Sequence, residues 1–377
     1  MTFRKPARRG IMPAMMLAAS CWSVSSHAAP QLQDLHMPAG FHIATYATHV
    51  PGAREIALGE KGTVFLGSMG AGKVYALTGD GDATHPRQVR VIAHGLNLPA
   101  GVAFFHGDLY VSDTRRIVVL RGIEDRLDHP PAPETVADNL PYRAGDHSWK
   151  FIAFGPDGKL YVPIGSPCNV CEVGHDLGKL MRMNPDGTDR EDIAYGIRNS
   201  VGFTWQPHTG TLWFTDNGRD MLGDDVPDDE LNRLDKVGQS FGFPYCHQGN
   251  IADPTYGHLH PCSEFTPPVL GLGAHVAALG LRFYEGTMFP APYRGSLLIA
   301  EHGSWNRSRL SGYRVVTVPF GTDGTVGPAT PLVDGFEQNQ VPWGRPADVQ
   351  PLPDGSVLIS DDQAGAVYRL TYDAHSG

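Results

Sequence analysis

Six times along the chain a glycine is followed by one spacer and then by three or four apolar residues, most copies closing on a small or acidic group. The copies occupy positions 62–68, 107–113, 158–162, 210–216, 295–301 and 355–361. Continuous apolar runs of this length, opened by a turn former, predict strands buried on both faces. Another apolar run precedes each copy, at 56–58, 101–105, 151–154, 201–205, 279–283 and 347–352. A third follows several of them after a further glycine, at 72–77, 178–183, 312–318 and 365–370. The unit is an antiparallel meander of roughly 45 to 60 residues, and six of them predict an all-β, six-bladed β-propeller. Residues 41–46, ahead of the first copy, are placed to supply the outer strand of the last blade and close the ring. The interval between the fourth and fifth copies is the longest. It holds the acidic stretch 224–230 and a Gly/Pro/Cys-rich excursion at 238–268, expected to cap the ligand-bearing face.

Composition supports this reading: 45 Gly and 31 Pro in 377 residues are too many turn formers for a helical protein. With 41% hydrophobic and 19% charged residues, disorder and coiled coil are excluded. The first 28 residues stand apart, with a basic start (Arg4, Lys5, Arg8, Arg9), an apolar run at 11–19 and Ser26-His27-Ala28 at a cleavage position. This predicts a secretory signal followed by a propeller domain at 29–377, in a periplasmic or secreted protein. Arg8-Arg9 and Cys21 lack the neighbours of a twin-arginine or lipoprotein signal. Nothing later approaches 18 apolar residues, so no membrane span is expected.

Removing the leader's four basic side chains takes the formal net charge from −10 to −14, which argues against nucleic acid and anionic membrane as partners. Four cysteines remain, Cys168, Cys171, Cys246 and Cys262. In an exported chain an even number favours two disulfides, by proximity 168–171 and 246–262, with a zinc site as the rival. Glu172 follows Cys171 where c-type haem attachment needs His.

Four polar segments lie at strand starts or in the loops after strands: 146–150, 198–202, 215–219 and 301–307. In a propeller such positions from several blades converge on one mouth. Singly, each has a plainer explanation. One histidine among 17 is more often a surface or core residue than a base, Arg198-Asn199 could staple two blades, and 224–230 could be a solvated loop or a Ca²⁺ ligand set. Dinucleotide, P-loop, serine-hydrolase and zincin signatures are absent.

Four phrases together resemble the PQQ-dependent sugar dehydrogenase family, the soluble glucose, aldose and L-sorbosone dehydrogenases. They lie at 147–162, 196–202, 212–218 with 229–232, and 344–349 with 353–355; 165–172 and 302–307 are similar to the sorbosone-type branch. The resemblance implies a six-bladed propeller binding PQQ and Ca²⁺, acting on a small-molecule sugar and passing electrons to an external quinone or cytochrome. It places the catalytic base on His147 and the cofactor- and substrate-facing pair on Arg198 and Asn199. Two calcium-holding carbonyls fall on Gly218 and Arg219, and a cofactor-carboxylate arginine on Arg345. The chain departs from the glucose-type pattern at Val201 (Gln there), Ala347 (a second Arg) and Arg219 (Pro). It also lacks a fifth-blade Lys, for which His302, Arg307 and Arg309 are the nearby substitutes, Arg307 being taken as cofactor-binding. A Ca²⁺-dependent lactonase-type propeller and a non-catalytic sugar-binding propeller are the alternatives.

Overall fold

A computed structural model of the chain describes residues 30–79, 88–145, 147–321 and 323–374. The leader at 1–28, Asp146 and their expected roles lie outside the described residues. Six antiparallel sheets carry the fold, and among the described residues the helical elements are short 3-10 turns. Blade 1 comprises Ala53–Leu58, Val64–Ser68, Lys73–Thr78 and Gln88–His94. Blade 2 comprises Val102–Phe105, Asp108–Asp113, Arg116–Leu120 and Glu134–Ala137. Blade 3 has Ala153–Phe154, Leu160–Ile164, Lys179–Met183 and Glu191–Tyr195, and blade 4 has Gly202–Trp205, Leu212–Asp216, Asp228–Leu234 and Leu270–Ala274. Blade 5 has Ala278–Phe283, Leu297–Glu301, Arg314–Val318 and Thr330–Val333. Blade 6 takes Pro346–Pro351, Val357–Asp361 and Ala366–Tyr372 from the end of the chain and Phe41–Thr48 from its start.

The repeated glycine has a backbone reason. Gly62, Gly107, Gly158, Gly210, Gly295 and Gly355 all turn the chain at φ between 70° and 86°, where an L side chain is strained. Each turn delivers the second strand of a blade, and in blades 1, 3, 4, 5 and 6 every residue of that strand is buried. Packing of neighbouring blade faces gives a series of apolar clusters around the ring in place of one central core.

The ring closes where 41–46 predicts. Phe41–Thr48 pairs antiparallel with Ala366–Tyr372, Phe41 opposite Tyr372 and Thr48 opposite Ala366. Phe41 is buried edge-on against Phe289, Tyr293 and Tyr372. Truncating such an aromatic anchor costs about 3–5 kcal/mol, so Phe41→Ala is expected to lower the melting temperature by several degrees. An unchanged melt would show that the closing strand bears no load.

The axis is bracketed by two buried carboxylates. Glu55 Oε2 of blade 1 accepts the backbone N–H groups of Val102 in blade 2 and Ile152 just before blade 3, each at 3.0 Å. Asp348 Oδ2 of blade 6 accepts that of Ile56 in blade 1 at 2.9 Å. Arg282 of blade 5 lies 3.9 Å from Glu55 and 3.7 Å from Asp348. Cross-blade hydrogen bonds thus hold the inner strands where their backbones diverge.

Both cysteine pairs are disulfides, Cys168–Cys171 and Cys246–Cys262. The long excursion differs from expectation in two ways. The acidic stretch divides: residues from 228 onward are the third strand of blade 4, with Asp229 and Glu230 buried, because the blade needs that strand to pair with Leu212–Asp216. The segment 238–268 adds the parallel strand Gln239–Ser240 to blade 3 and folds a hairpin, Cys246–His247 with Ile251–Ala252. It braces the site from behind and contributes no residue to the cavity lining.

Candidate active site

Inner strands begin, and second strands end, on one face of the ring, so the loops at those points converge. They enclose a solvent-open cavity of about 240 Å³ lined from blades 1, 3, 4, 5 and 6 and the loops leading into them. His147, Arg198, Asn199, Gly218 and Arg345 all line it. Arg219 and Arg307 do not. The Arg219 guanidinium turns back to pair with Asp253 of the bracing segment, which also accepts His247 at 2.9 Å. Arg307 is drawn to the rim, where it contacts Asp225 at 3.1 Å and the carbonyls of Ala274 and Arg309. Its acidic neighbour and two carbonyl acceptors satisfy it away from the cavity. Val201 and Ala347 sit with Leu279 and Trp149 in a small apolar cluster.

His147 is held from one side. Its Nδ1 donates to the Ser166 carbonyl at 2.8 Å, which leaves Nε2 as the ring's basic lone pair. Burial, with the Arg198 charge behind it, pushes its pKa down to about 3, so the imidazole is neutral at ordinary pH. Gly165 packs directly beneath: a Cβ there would stand 2.4 Å from the His147 carbonyl.

Arg198 is fixed by a fork of contacts. Its Nε donates to the Asn169 carbonyl at 2.9 Å, Nη1 to the Asn217 carbonyl at 3.1 Å, and Nη2 to Asn169 Oδ1 at 3.0 Å and Asp220 Oδ2 at 2.8 Å. The pair 198–199 also acts as the staple weighed from the sequence. Asp216 accepts both backbone N–H groups, and Asn199 reaches Asn217, whose amide donates to the Ala278 carbonyl of blade 5 at 2.7 Å. Arg345 donates to the carbonyls of His302 and Gly303 and lies over the Tyr313 ring.

Sequence reasoning did not single out Arg54, Asp220 or His275, and gave His302 no partner. Arg54, at the start of blade 1, pairs with Asp362 at 2.8 Å, and Asp362 accepts His302 Nε2 at 2.8 Å. Burial pushes His302 down to about 4, while Arg54 and His302 hold Asp362 well below the usual carboxylate range. Nothing local in the sequence marks Arg54; only the closed ring brings it beside residues 302 and 362.

Three guanidiniums, Arg54, Arg198 and Arg345, therefore face a cavity lined by two carboxylates, Asp220 and Asp229, and three histidines. Asp229 is already spent on the backbone N–H groups of Gly218 and Ala277. Trp149 Nε1, Arg54 Nε and Asn306 Oδ1 are buried without a protein partner, and all three residues line the cavity. Two orphaned donors, and the Arg345 guanidinium held by carbonyls and the Tyr313 ring, fit an oxygen-rich, anionic ligand. Among the described residues no cluster of three His, Cys, Asp or Glu side chains is placed to hold a metal, so a cation at Gly218 and Arg219 would rest on main-chain carbonyls and on the ligand.

Behind the cavity, Asp216 and Glu230 face each other across paired strands. Burial raises both, Glu230 to about 8 with the Asp216 charge adding to it. A carboxyl whose folded pKa lies above its unfolded value stabilises the fold fully below the unfolded value, and that contribution is lost as pH rises from there through the folded value of about 8. Apo-protein melting temperature should fall from about pH 5 and level off above about pH 8 to 9, and Glu230→Gln should flatten the fall. An identical slope in the variant would refute the assignment.

The profile of the glucose/sorbosone dehydrogenase family matches residues 111–369. An uncharacterized protein of Borreliella burgdorferi is 32% identical over 90% of this chain and 91% of its own length. An aldose sugar dehydrogenase of Escherichia coli is 23% identical over 60% of each chain. Among solved structures, the PQQ domain of Coprinopsis cinerea pyranose dehydrogenase in its holo form superposes with a TM-score of 0.76 at 18% identity, covering 91% of this chain and 98% of that one. The PQQ-bound aldose sugar dehydrogenase of Streptomyces coelicolor gives 0.64 at 21%, over 90% and 100%. No helix among the described residues is long and apolar enough to cross a membrane. With a profile match that begins in blade 2 and ends in the last strand of the chain, and a relative aligned nearly end to end, the protein belongs to the glucose/sorbosone dehydrogenase family.

Proposed function

We propose that this protein is an exported quinoprotein that binds PQQ with Ca²⁺ in the cavity and oxidises an aldose or a sorbosone-like sugar aldehyde, handing electrons to an external quinone or cytochrome. The observation that carries the reading is the convergence of Arg54, Arg198 and Arg345 with a neutral His147 on one cavity that also holds the orphaned N–H groups of Trp149 and Arg54. PQQ is a tricarboxylate, and when bound it supplies a quinone carbonyl able to accept hydride from the substrate. The three guanidiniums bind and orient its carboxylates, and Asn199 adds an amide beside Arg198. Arg54 takes the place of the missing fifth-blade Lys and second last-blade Arg as a cation, since it reaches the same mouth from blade 1. The main-chain carbonyls of Gly218 and Arg219 would hold Ca²⁺.

His147 Nε2 takes the proton of the sugar hydroxyl, or of the aldehyde hydrate, while the Ser166 carbonyl keeps the ring in the accepting tautomer. Burial does most to depress His147 and the Arg198 charge adds to it; an anion in the cavity offsets that second contribution and so raises the base. Arg198 stabilises negative charge developing opposite His147. A non-catalytic propeller has no need of a buried, tautomer-fixed histidine beside an arginine fork.

Titrating the protein with PQQ, with and without Ca²⁺, followed by dye reduction over a panel of sugars, tests this. Saturable uptake that is lost on chelation, together with sugar-dependent dye reduction, is expected. Lactone hydrolysis without quinone, or sugar binding with no turnover, would replace the assignment.

A further inference from the structure

The segment 166–171, between the second and third strands of blade 3, touches both groups assigned to the chemistry. At its start the Ser166 carbonyl accepts His147 Nδ1–H, and the Ser166 N–H donates to the Arg198 carbonyl at 2.9 Å. Three residues on, Asn169 makes four hydrogen bonds to two residues of blade 4 and its approach. Its carbonyl accepts Arg198 Nε at 2.9 Å, and its Oδ1 accepts Arg198 Nη2 at 3.0 Å and the Asp220 N–H at 2.7 Å. Its Nδ2 donates to the Asp220 carbonyl at 3.0 Å. Both Oδ1 lone pairs are used, and Asp220 in turn reaches Arg198 Nη2 and Asn306.

The Cys168–Cys171 disulfide closes the chain around Asn169, and Ser166 Oγ bonds the Cys168 carbonyl at 2.9 Å. A bridge spanning so few residues removes little entropy from the unfolded chain, so global stability is a poor reason for it. Its local effect is to fix the residue it encloses.

We infer that Asn169 is the positioning residue for Arg198, held in place by the disulfide-closed loop. The loop presents carbonyl and amide oxygens as a rigid receptor for one edge of the guanidinium. Arg198 cannot then swing toward solvent, and one Nη1 proton is left for a ligand. Ser166 and Asn169 lie in one short segment, so the spacing between His147 and Arg198 is set by that segment. The role for PQQ affinity rests on the proposed function; the hold on Arg198 does not.

The test therefore has an arm in apo-protein: phenylglyoxal modification of Arg198, followed by peptide mass spectrometry. Asn169→Leu keeps the volume and removes the side-chain bonds, and should raise the Arg198 labelling rate about 10-fold, the loss of one charge-assisted hydrogen bond. Asn169→Asp keeps the oxygen acceptors for Arg198 and should label as slowly as the parent. The Cys168→Ser/Cys171→Ser double variant retains Asn169 on an opened loop and should label faster than the parent. Labelling of folded Asn169→Leu at the parent rate would overturn the inference. If that variant does not fold, a double serine variant labelled at the parent rate overturns it. In the second arm, PQQ affinity should weaken about 10-fold in Asn169→Leu and be restored toward the parent in Asn169→Asp. A parent protein that takes up no PQQ would sink the functional reading, and the labelling arm would still decide this one.

Discussion

His147→Gln should lower turnover by about 10² to 10⁴ while leaving PQQ affinity nearly unchanged. The amide preserves volume and can still donate to the Ser166 carbonyl, but it has no lone pair basic enough to take a proton. The unusual point is that the protein pushes this base down to about 3, chiefly by burial and then by Arg198. A base so weak would be a poor proton acceptor at neutral pH, and so the mechanism requires the loaded cavity to lift it. The acidic limb of a kcat/KM profile reports the enzyme before sugar binds. Measured on PQQ-loaded protein, it should show an apparent pKa above 3, and that limb should vanish in His147→Gln. A packing role for His147 predicts instead a lower melting temperature with near-normal turnover. Normal turnover in the variant would remove the mechanism.

Arg198→Ala should damage both PQQ affinity and turnover, because the same side chain is assigned to the ligand and to developing charge. Truncating one partner of a buried charge pair costs about 2 to 5 kcal/mol, which corresponds to a loss of roughly 30- to 4,000-fold in affinity. It also strands Asp220 Oδ2 and the oxygens of Asn169, so the melting temperature should fall. Arg198→Lys restores the charge but not the fork, and should recover stability better than affinity. Equal recovery of both by lysine would show that charge alone, without bidentate geometry, is what the site uses.

Much of the architecture could be read from the chain because it is repeated. A glycine that must adopt positive φ, followed by a fully buried strand, recurs at Gly62, Gly107, Gly158, Gly210, Gly295 and Gly355, and repetition makes a weak local pattern decisive. Residues 41–46 were identifiable as the closing strand because they form a strand-like run left over when six meanders have been counted. The acidic stretch 224–230 misled for a physical reason. Buried carboxylates are rare, so five acids in seven residues read as solvated loop, yet Asp229 and Glu230 are buried acceptors of backbone N–H groups. Within the cavity, His147 and Arg198 stood out because neighbouring residues formed phrases. Arg54 and Asp220 had no such context. Arg54 is held beside Asp362 and His302, more than two hundred positions away, and Asp220 joins Arg198 to Asn169 and Asn306. Convergence of that kind is a property of the closed ring.

The strand at 41–48 also dictates an order of events. Thr371 and His42, joined by a hydrogen bond, are 329 positions apart, and every rung between these strands is of the same long range. Contacts so distant form late, because the chain entropy lost in closing the loop is recovered only when both ends have arrived. Until then blade 6 lacks its outer strand, and the first strand waits with unpaired N–H and C=O groups on both edges. The five other blades can assemble from local hairpins as they emerge. A chain cut short before residue 366 would keep them but could not seal the ring, leaving open edges that invite pairing between molecules. Refolding should accordingly show blade formation first and the burial of Phe41 last, with aggregation competing only in the interval between them.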